Sequence, residues 1–582
     1  MNTRRIWGLL VLVILGSGTG RAMMTDHASS PPDQPSEIRA VIHNTLERSP
    51  RPEELWLGCE LIHTSQDLIG FYNDRDYQPV WVVAQGVTPL GKELVKRLQK
   101  TDEHGLNPED YHLSCITGLL EFTEKFEDWE RVTFPADPDL LAQLDILLTD
   151  GFLVSLSHLA TGRVSPETLY TQWLSVEKKA DILSSLQSLK TVEDLQKVYE
   201  KFYPSCRQYE ALVTAGIDLR EIVEQGGRPL IPEGPALRRG DTDRRVLLLR
   251  RRLDHDAGEQ SFGVGSLQGF YDHRLEEQVK RFQRRHGLDV DGVVGSQTIK
   301  ALNVPARKRW QTVLVNLERL RWLSCDYGNQ FLLVNIADFT LQCSRKPDKE
   351  LTFKVIVGKE YQKTPVFRKT LRYIVLNPYW NVPRSIAVTE ILPKVQTDPD
   401  YLSEHHLQVL SGWKNAEILN PDDIDWSMIK PETFQWRFRQ EPGPWNSLGR
   451  IKFIFPNQFH VYIHDTPNRE LFKHVERAFS HGCIRVQHPL QLAAFILDRD
   501  PEWTADRLEE VLASQERTVV IPSEKFIVDL TYVTAWIDDD GVLHFRRDVY
   551  DRDQVLWKAL QNVFRKQEPP LESLFQESPP QT

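Results

Sequence analysis

The segments VYIHDTP (residues 461–467) and SHGCIRV (residues 480–486) decide the fold of the C-terminal half of this chain. Alternating apolar residues in both are typical of strands, so we expect His464 to end a strand and Cys483 to follow a tight turn. Gly482 suits that turn, because it lets the backbone approach another group without a Cβ clash. A cysteine attacks as its thiolate, which a nearby imidazole promotes. The segments therefore predict cysteine–histidine nucleophilic chemistry on a β scaffold, with backbone N–H groups around an oxyanion.

Other interpretations of these residue types remain open. His460, His464, His481 and Cys483 are all zinc ligand types, but neither a CxxC nor an HExxH spacing occurs, so no metal is expected here. A buried structural thiol is disfavoured at Cys483, because Ser, His, Gly and Arg surround it rather than apolar residues. His460 is expected to be a surface or packing histidine.

Strand patterns extend outward from this motif. Runs rich in β-branched and aromatic residues occur at residues 331–336, 353–357, 373–376 and 451–455. We therefore predict a mainly β catalytic domain at residues 328–525, with helices near residues 489–498 and 505–514. A β/helix extension (residues 526–565) and a disordered tail rich in Pro, Glu and Ser (residues 566–582) are expected after it.

A long insert, residues 384–448, interrupts this domain, whereas strands are usually joined by about four to six residues. Apolar residues such as Leu392, Val409 and Trp436 make it too hydrophobic for disorder. We predict a folded lid over the site that excludes water and aligns an acceptor group, with a short helix at residues 403–410. A passive extra subdomain is the alternative.

A compact unit is predicted at residues 237–304. Val246, Leu249 and Leu253 share one helical face, and Leu275, Val279 and Phe282 share a second. The run FQRRHGLDVDGVVG (residues 282–295) places Gly287 at a helix end and an Asp-Gly turn after it. Thr298 and the apolar residues after it indicate a third, short helix.

The N-terminal half reads as a leader followed by helices. Arg4 and Arg5 precede an apolar run and small residues, which predicts a secretory signal at residues 1–22, with a linker at residues 23–36. The chain is then expected to be periplasmic, or anchored in the inner membrane if the signal is not cleaved. Residues 37–225 show mostly helical spacing and predict a helical scaffold domain.

Composition narrows the function further. The 582 residues carry a formal net charge of −11, which argues against nucleic-acid binding through phosphates. The length predicts several domains. Six cysteines are too few for a disulfide scaffold, although Cys325 and Cys343 flank a strand and are a candidate pair.

The catalytic motif resembles the signature of the YkuD-type L,D-transpeptidases, a His followed at this spacing by S-H-G-C, an apolar residue and Arg. The unit with the FQ-to-AL pattern resembles the peptidoglycan-binding module of cell-wall enzymes. Together with NPYWNVP (residues 377–383) and the C-terminal aromatic segments, they resemble the large YcbB-like subgroup. The resemblance implies a multidomain α+β protein with a helical scaffold domain, a small three-helix peptidoglycan-binding domain, and a mainly β catalytic domain with a lid insert.

The same resemblance implies roles for individual residues. Cys483 is the acylated nucleophile and His464 its base, and Tyr462 with the backbone amides of Gly482 and Cys483 lies at the oxyanion. The residues implied to support the turn and the substrate are His481, Ser480, Arg485 and Trp380. Core packing remains an alternative for Trp380, and an internal salt bridge for Arg485.

The implied reaction is acyl transfer from a peptidoglycan tetrapeptide stem, with loss of D-Ala, to a neighbouring stem amine, forming a 3-3 cross-link without a cofactor. Carbapenems are implied inhibitors, and other wall-synthesis enzymes are candidate partners. Stem trimming, attachment of lipoproteins to the wall, a wall-binding scaffold with a vestigial site, and a generic cysteine peptidase remain alternatives. The sequence leaves the oligomeric state open.

Overall fold

The computed structural model describes residues 34–47, 55–58, 60–125, 137–174, 180–204, 206–257, 269–347, 349–398, 400–412 and 416–562. The predicted signal and the predicted disordered tail lie outside these residues. The first helix begins at Gln34, inside the segment predicted as a linker. Ile38, Ile42 and Leu46 draw this helix onto the protein core, so the linker prediction is wrong for its last residues.

Helices predominate up to residue 224, in agreement with the prediction, and many pack around α5. The helices are α1 (Gln34–Glu47), α2 (Ser65–Asp74), α3 (Pro89–Gln99), α4 (Leu113–Lys125), α5 (Pro138–Thr161), α6 (Pro166–Leu169), α7 (Ile182–Gln187), α8 (Val192–Phe202) and α9 (Arg207–Glu224). Two small hairpins lie among them, formed by β1 (Trp56–Leu57) with β2 (Glu60–Leu61) and β3 (Val82–Val83) with β4 (Gly86–Val87). Helix α5 is apolar on nearly all sides because other elements surround it. In the described part of the chain it alone is long and apolar enough to cross a membrane, yet 83% of its most apolar stretch is buried inside the protein.

The unit predicted at residues 237–304 contains three helices around a core of its own. They are α10 (Arg245–Ala257), α11 (His273–Arg285) and α12 (Ser296–Leu302). The side chain of Gln283 connects the Phe282-Gln283 and Asp291-Gly292 parts of the motif. The buried Gln283 donates to Asp291 Oδ1 (2.8 Å) and to Val293 O (3.0 Å) and accepts from Gly292 N (2.9 Å). Gln283 therefore fixes the turn that separates the second and third helices.

A long helix, α13 (Ala306–Trp322), links this unit to the strand-rich C-terminal part. Helix α9 packs against α13 and the strands near residues 535–545, in a core separate from that of the other N-terminal helices. The prediction of a single helical unit at residues 37–225 is therefore wrong for its last helix, α9. A disulfide joins Cys206, just before α9, to Cys325, just after α13.

The candidate pair Cys325 and Cys343 is therefore wrong. Cys343 lies in the middle of a strand, where its side chain is buried in the core and its thiol is free. Cys325 lies between α13 and residue 330, where the next strand begins, and it is bonded to Cys206 at the start of α9. The disulfide forms because helices α9 and α13 pack together. The two cysteines are 119 residues apart in the sequence, so the sequence alone does not indicate that they are close.

The remaining strands form one large sheet, a small insert sheet and a hairpin. They are β5 (Gln330–Asn335), β6 (Thr340–Arg345), β7 (Lys349–Gly358), β8 (Phe367–Thr370), β9 (Tyr373–Leu376), β10 (Trp380–Asn381), β11 (Leu407–Leu410), β12 (Ile418–Leu419), β13 (Arg437–Gln440), β14 (Ile451–Ile454), β15 (Ile463–His464), β16 (Ala478–Ser480), β17 (Ile484–Val486), β18 (Thr518–Val520), β19 (Ile527–Thr531), β20 (Ala535–Ile537) and β21 (Leu543–Phe545). The large sheet has the order β18-β9-β14-β15-β17-β7-β6-β5-β19-β8, and β16 also pairs with β7.

The later helices pack around these sheets. They are α14 (Arg384–Ile386), α15 (Leu392–Thr397), α16 (Tyr401–Glu404), α17 (Pro489–Ile496), α18 (Ala505–Ser514) and α19 (Arg552–Asn562), with a π-helical turn at Ala387–Ile391. Helices α17 and α18 lie where helical patterns were predicted.

Strand β19 corrects the predicted boundary at residue 525. It lies inside the large sheet, pairing in parallel with β5 and antiparallel with β8. Leu530, Tyr532 and Tyr550 belong to the same buried core as the strands around Cys483. The segment predicted as an extension therefore completes the catalytic sheet.

The insert is folded, as its apolar residues predicted. Its sheet has the order β10-β13-β11-β12, and it has its own hydrophobic core, which includes Leu392, Val409 and Phe438. The helix predicted at residues 403–410 is wrong: α16 ends at Glu404, and residues 407–410 form a strand. Leu407 and Val409 are two residues apart on β11 and both face the insert core. Residues two apart share a face in a strand but point in different directions in a helix.

Candidate active site

Three neighbouring strands place the predicted catalytic residues on one face of the large sheet. Strand β15 pairs antiparallel with β14 and in parallel with β17, so that Lys452 lies opposite His464, and His464 beside Arg485. Residues two apart on a strand share a face. The side chains that share this face are those of Lys452, Tyr462, His464, Cys483 and Arg485. The intervening Phe453, Ile463 and Ile484 are buried in the core on the other side.

His464 is held in one orientation and one tautomer. Its Nδ1 lies 2.5 Å from the carbonyl oxygen of Asp465, which can only accept, so Nδ1 carries the proton and Nε2 is left as the basic nitrogen. The side chain is buried, and burial together with the positive charge of Arg485 lowers the pKa of His464 to about 3. At neutral pH the imidazole is therefore uncharged and able to accept a proton.

The Cys483 thiol is half-buried beside cationic side chains. Burial raises its pKa, and this is opposed by hydrogen bonding to Tyr462 and by the positive charges of Lys452 and Arg485. Within the described residues, no hydrogen bond joins the His464 imidazole directly to this thiol. Tyr462 and His464 nevertheless share one face of the sheet with Cys483, at and next to the adjacent strands β15 and β17.

The turn before Cys483 is fixed by Ser480. Its Oγ donates to Cys483 O (2.5 Å) and accepts from Gly482 N (3.1 Å). In this structure the Gly482 amide, which the resemblance implies at the oxyanion, is thus directed at Ser480 Oγ. Gly482 has a φ of +110°, a backbone conformation that residues with a side chain rarely adopt. Its importance lies in the shape of the turn.

Two residues that sequence reasoning did not assign to the site support this turn from behind. Thr364 Oγ1 donates to Gly482 O (2.9 Å) and accepts from Gly358 N (2.9 Å). Tyr550 Oη donates to Gly358 O (2.6 Å) and accepts from Thr364 N (3.2 Å). A Cβ on Gly358 would lie 3.0 Å from Gly482 Cα, so the two backbones meet at van der Waals distance. Only the polar character of a buried Thr and Tyr would have pointed to them.

The remaining predicted residues lie at the edge of the site. His481 Nε2 lies 2.6 Å from Glu390 Oε1, in the π-helical turn of the insert. Arg485 forms no ion pair with a carboxylate in the described part of the chain, which leaves its charge directed at Cys483. Trp380 packs against the insert core, as its alternative interpretation held, and its neighbours Tyr379 and Asn381 line a groove instead.

The zinc alternative gains no support from the geometry. Among the described residues, the group of ligand types that converges closely enough for an ion is His273, Glu276 and Glu277 on α11. His460 is exposed in the turn before β15, whereas His464 is buried.

Comparison with known proteins identifies the domains. Family models match residues 329–520 as "L,D-transpeptidase catalytic domain" (the YkuD family), residues 66–215 as "Scaffold domain" and residues 244–302 as "Putative peptidoglycan binding domain". The chain thus carries a catalytic domain of the YkuD L,D-transpeptidase family, joined to a helical scaffold domain and a peptidoglycan-binding domain in a mixed α+β architecture.

A curated relative agrees with this assignment. The "Putative L,D-transpeptidase" of Haemophilus influenzae is 38% identical over 263 residues, which are 44% of this chain and 52% of the relative. The chain thus matches about half the length of that relative. Among solved structures, an L,D-transpeptidase from Xylanimonas cellulosilytica is 14% identical with a TM-score of 0.15, covering 52% of this chain and 99% of that one. A fused Zn-dependent amidase/peptidase/peptidoglycan-binding protein from Clostridium acetobutylicum is 12% identical with a TM-score of 0.14, covering 51% and 100%.

Proposed function

We propose that this protein is a periplasmic peptidoglycan L,D-transpeptidase with Cys483 as its nucleophile. The observation that carries the proposal is the shared face of Tyr462, His464 and Cys483 on adjacent strands, within a domain that matches the YkuD family. The peptidoglycan-binding domain supports an extracytoplasmic site of action. The proposed YcbB-like subgroup, the export signal and its cleavage rest on the sequence.

The proposed reaction has two acyl-transfer steps. His464 Nε2 removes the Cys483 proton as Sγ attacks the carbonyl carbon of the third-position diaminoacid in a tetrapeptide stem. The tetrahedral intermediate expels D-Ala, whose amine takes the proton from His464, and a thioester remains. The amine of a neighbouring stem then attacks the thioester, His464 relays its proton to the sulfur, and a 3-3 cross-link forms. The Tyr462 hydroxyl and the Cys483 N–H are the proposed oxyanion donors.

A reaction with purified tetrapeptide muropeptides tests this function. We expect mass spectrometry to show release of one D-Ala per product and cross-linked dimers joined through two diaminoacid residues. Water as acceptor would give tripeptides alone, which would establish trimming as the activity. Absence of both products from folded protein would exclude the transpeptidase proposal.

The insert is proposed to act as a lid over the acyl-enzyme. It has its own core, and Glu390 contacts His481 in the turn that carries the nucleophile. A π-helical turn is often found at functional sites, and here it supplies that contact. A lid in this place would exclude water from the thioester and orient the incoming amine.

Replacing residues 385–446 with a short Gly/Ser linker separates a lid from a passive subdomain. We expect the thioester still to form but to partition mainly to water, because its shield is gone. The ratio of transfer to hydrolysis is measured from dimer and tripeptide products, with Glu390→Gln as a milder variant in the intact fold. A folded deletion variant with the wild-type ratio would refute the lid.

The three-helix unit is proposed to hold the enzyme on the wall. Arg546, which follows β21, donates a hydrogen bond to Arg285 O of the three-helix unit (3.0 Å) and forms an ion pair with Asp338 of the catalytic domain. Arg546 therefore connects the two parts of the chain. The full chain should co-sediment with purified sacculi and not with DNA. A variant lacking residues 237–304 should lose most of this binding. If it binds sacculi equally well, the unit is a spacer.

A further inference from the structure

A cationic groove lies between the insert and the face of the large sheet that carries the catalytic residues. Its volume is about 370 Å³. Its floor is formed by two cross-strand pairs of β9 and β14, Val375 with Lys452 and Tyr373 with Ile454. Lys452 is the partner of His464 on β15, so the floor and the catalytic residues share one face of the sheet.

The opposite wall comes from the polar face of the insert sheet. Arg437 and Arg439 are two residues apart on β13 and therefore project to the same side, while Phe438 between them is buried in the insert core. Asn381 of β10 lies directly opposite Arg439 and lines the same groove. Arg517, just before β18, closes the rim.

The groove gathers positive charge. Four of the described residues that line it are cationic, namely Lys452, Arg437, Arg439 and Arg517, and none of these described residues is acidic. Burial and the neighbouring charge of Arg439 lower the pKa of Arg437. An anion that enters the groove would be attracted by several positive charges at short distance.

The cations are held in place, which suits recognition. Arg439 Nε and Nη2 both donate to Gln408 Oε1, at 2.9 and 2.6 Å, and its guanidinium lies 4.7 Å from the centre of the Tyr379 ring. Planar guanidinium groups fixed in this way bind carboxylates well.

The groove reaches the nucleophile through Lys452. Its Nζ lies 3.6 Å from the centre of the Tyr462 ring, and the register of β15 with β17 places Tyr462 beside Cys483. A peptide lying in the groove would therefore have one end near the reacting sulfur.

We infer that this groove is a carboxylate-binding subsite, which positions a stem peptide by its free carboxylates between Arg437, Arg439 and Lys452. This inference rests on the proposed function and adds to it the residues that read the anionic character of the substrate. The stem in the groove is either the donor that acylates Cys483 or the acceptor that resolves the thioester.

Binding to the full chain with the Cys483→Ala substitution tests the subsite apart from catalysis. The probes are a synthetic tetrapeptide stem and its twin in which every free carboxyl group, including that of the C-terminal residue, is a carboxamide. We expect calorimetry to show that Arg437→Gln/Arg439→Gln weakens binding of the free-carboxylate peptide about tenfold or more, since bonds to charged groups are lost. Binding of the amidated twin should be weak in both backgrounds and insensitive to the double substitution.

Arg372→Gln is the matched control, because Arg372 is exposed, adjoins the lining residue Tyr373 and does not itself line the groove. Equal affinity for the two peptides, or equal losses in the control and the double variant, would overturn the inference. Competition by inorganic phosphate with equal binding of both peptides would assign the groove to phosphate and also overturn it.

Turnover with Cys483 intact distinguishes donor from acceptor and tests the function separately. The donor arrangement raises the KM for acylation in the double variant, and the acceptor arrangement lowers the ratio of transfer to hydrolysis. If peptides bind as expected but wild-type protein releases no D-Ala, the proposed function fails while the carboxylate subsite stands.

Discussion

Incubation of the purified protein with a carbapenem is expected to add one inhibitor mass, located on Cys483, and Cys483→Ala should abolish the adduct. The strained lactam carbonyl offers the thiol the same attack as a stem peptide, and ring opening leaves a thioester. The Tyr462 hydroxyl is the proposed oxyanion donor in both cases. Intact mass followed by peptide mapping measures the result.

Three of the other cysteines provide an internal control for this labelling. Burial raises the pKa of Cys343 to about 12, so this thiol is protonated and enclosed at neutral pH. Cys206 and Cys325 are joined to each other. An adduct on another cysteine, or no adduct on folded protein, would contradict the assignment of Cys483 as nucleophile.

His464→Ala is expected to slow acylation of Cys483 by 10²–10⁴-fold, or about 3–5 kcal/mol, the usual cost of losing a general base. His460→Ala should change the rate little, because His460 is exposed in the preceding turn. The two variants remove the same side chain four residues apart, so they control for each other. Single-turnover rates from intact mass measure the difference, and equal effects would show that His464 is not the base.

The pH dependence of acylation in the wild type follows from the same site. The pKa of His464 is lowered to about 3. The neutral imidazole, which can accept a proton, therefore predominates above about pH 4 and is lost only as the pH falls through the pKa. The raised pKa of Cys483 means that the thiolate fraction grows above neutrality. Acylation should therefore show no acid limb near pH 6.5, where an ordinary histidine titrates.

Local sequence patterns were sufficient for the parts of the structure that depend on near neighbours. Alternation predicted the strands around His464 and Cys483, and helical spacing predicted α10, α11 and α12. The apolar content of residues 384–448 predicted a folded insert. In each case the burial of one face or one core determines which residues must be apolar, and this constraint is visible in the sequence.

Contacts between distant segments were not predictable in this way. The parallel pairing of β19 with β5 and the Cys206–Cys325 bond depend on how the elements pack. The hydrogen bond from the Gly482 amide to the hydroxyl of Ser480 depends on the shape of the turn, which spacing cannot reveal. Lys452 was overlooked because its place opposite His464 is set by strand register.

The position of β19 and Tyr550 in the chain also sets the order in which the protein can become active. Both follow Cys483 in sequence, yet one completes the interior of its sheet and the other supports the turn before it. Trp173, far upstream, is buried in the same core and bridges to Val366. As the chain is made, Cys483 is therefore present before the segments that complete its sheet and support its turn. The proposed activity then requires the segment that is made last among these, so an incomplete chain should not react.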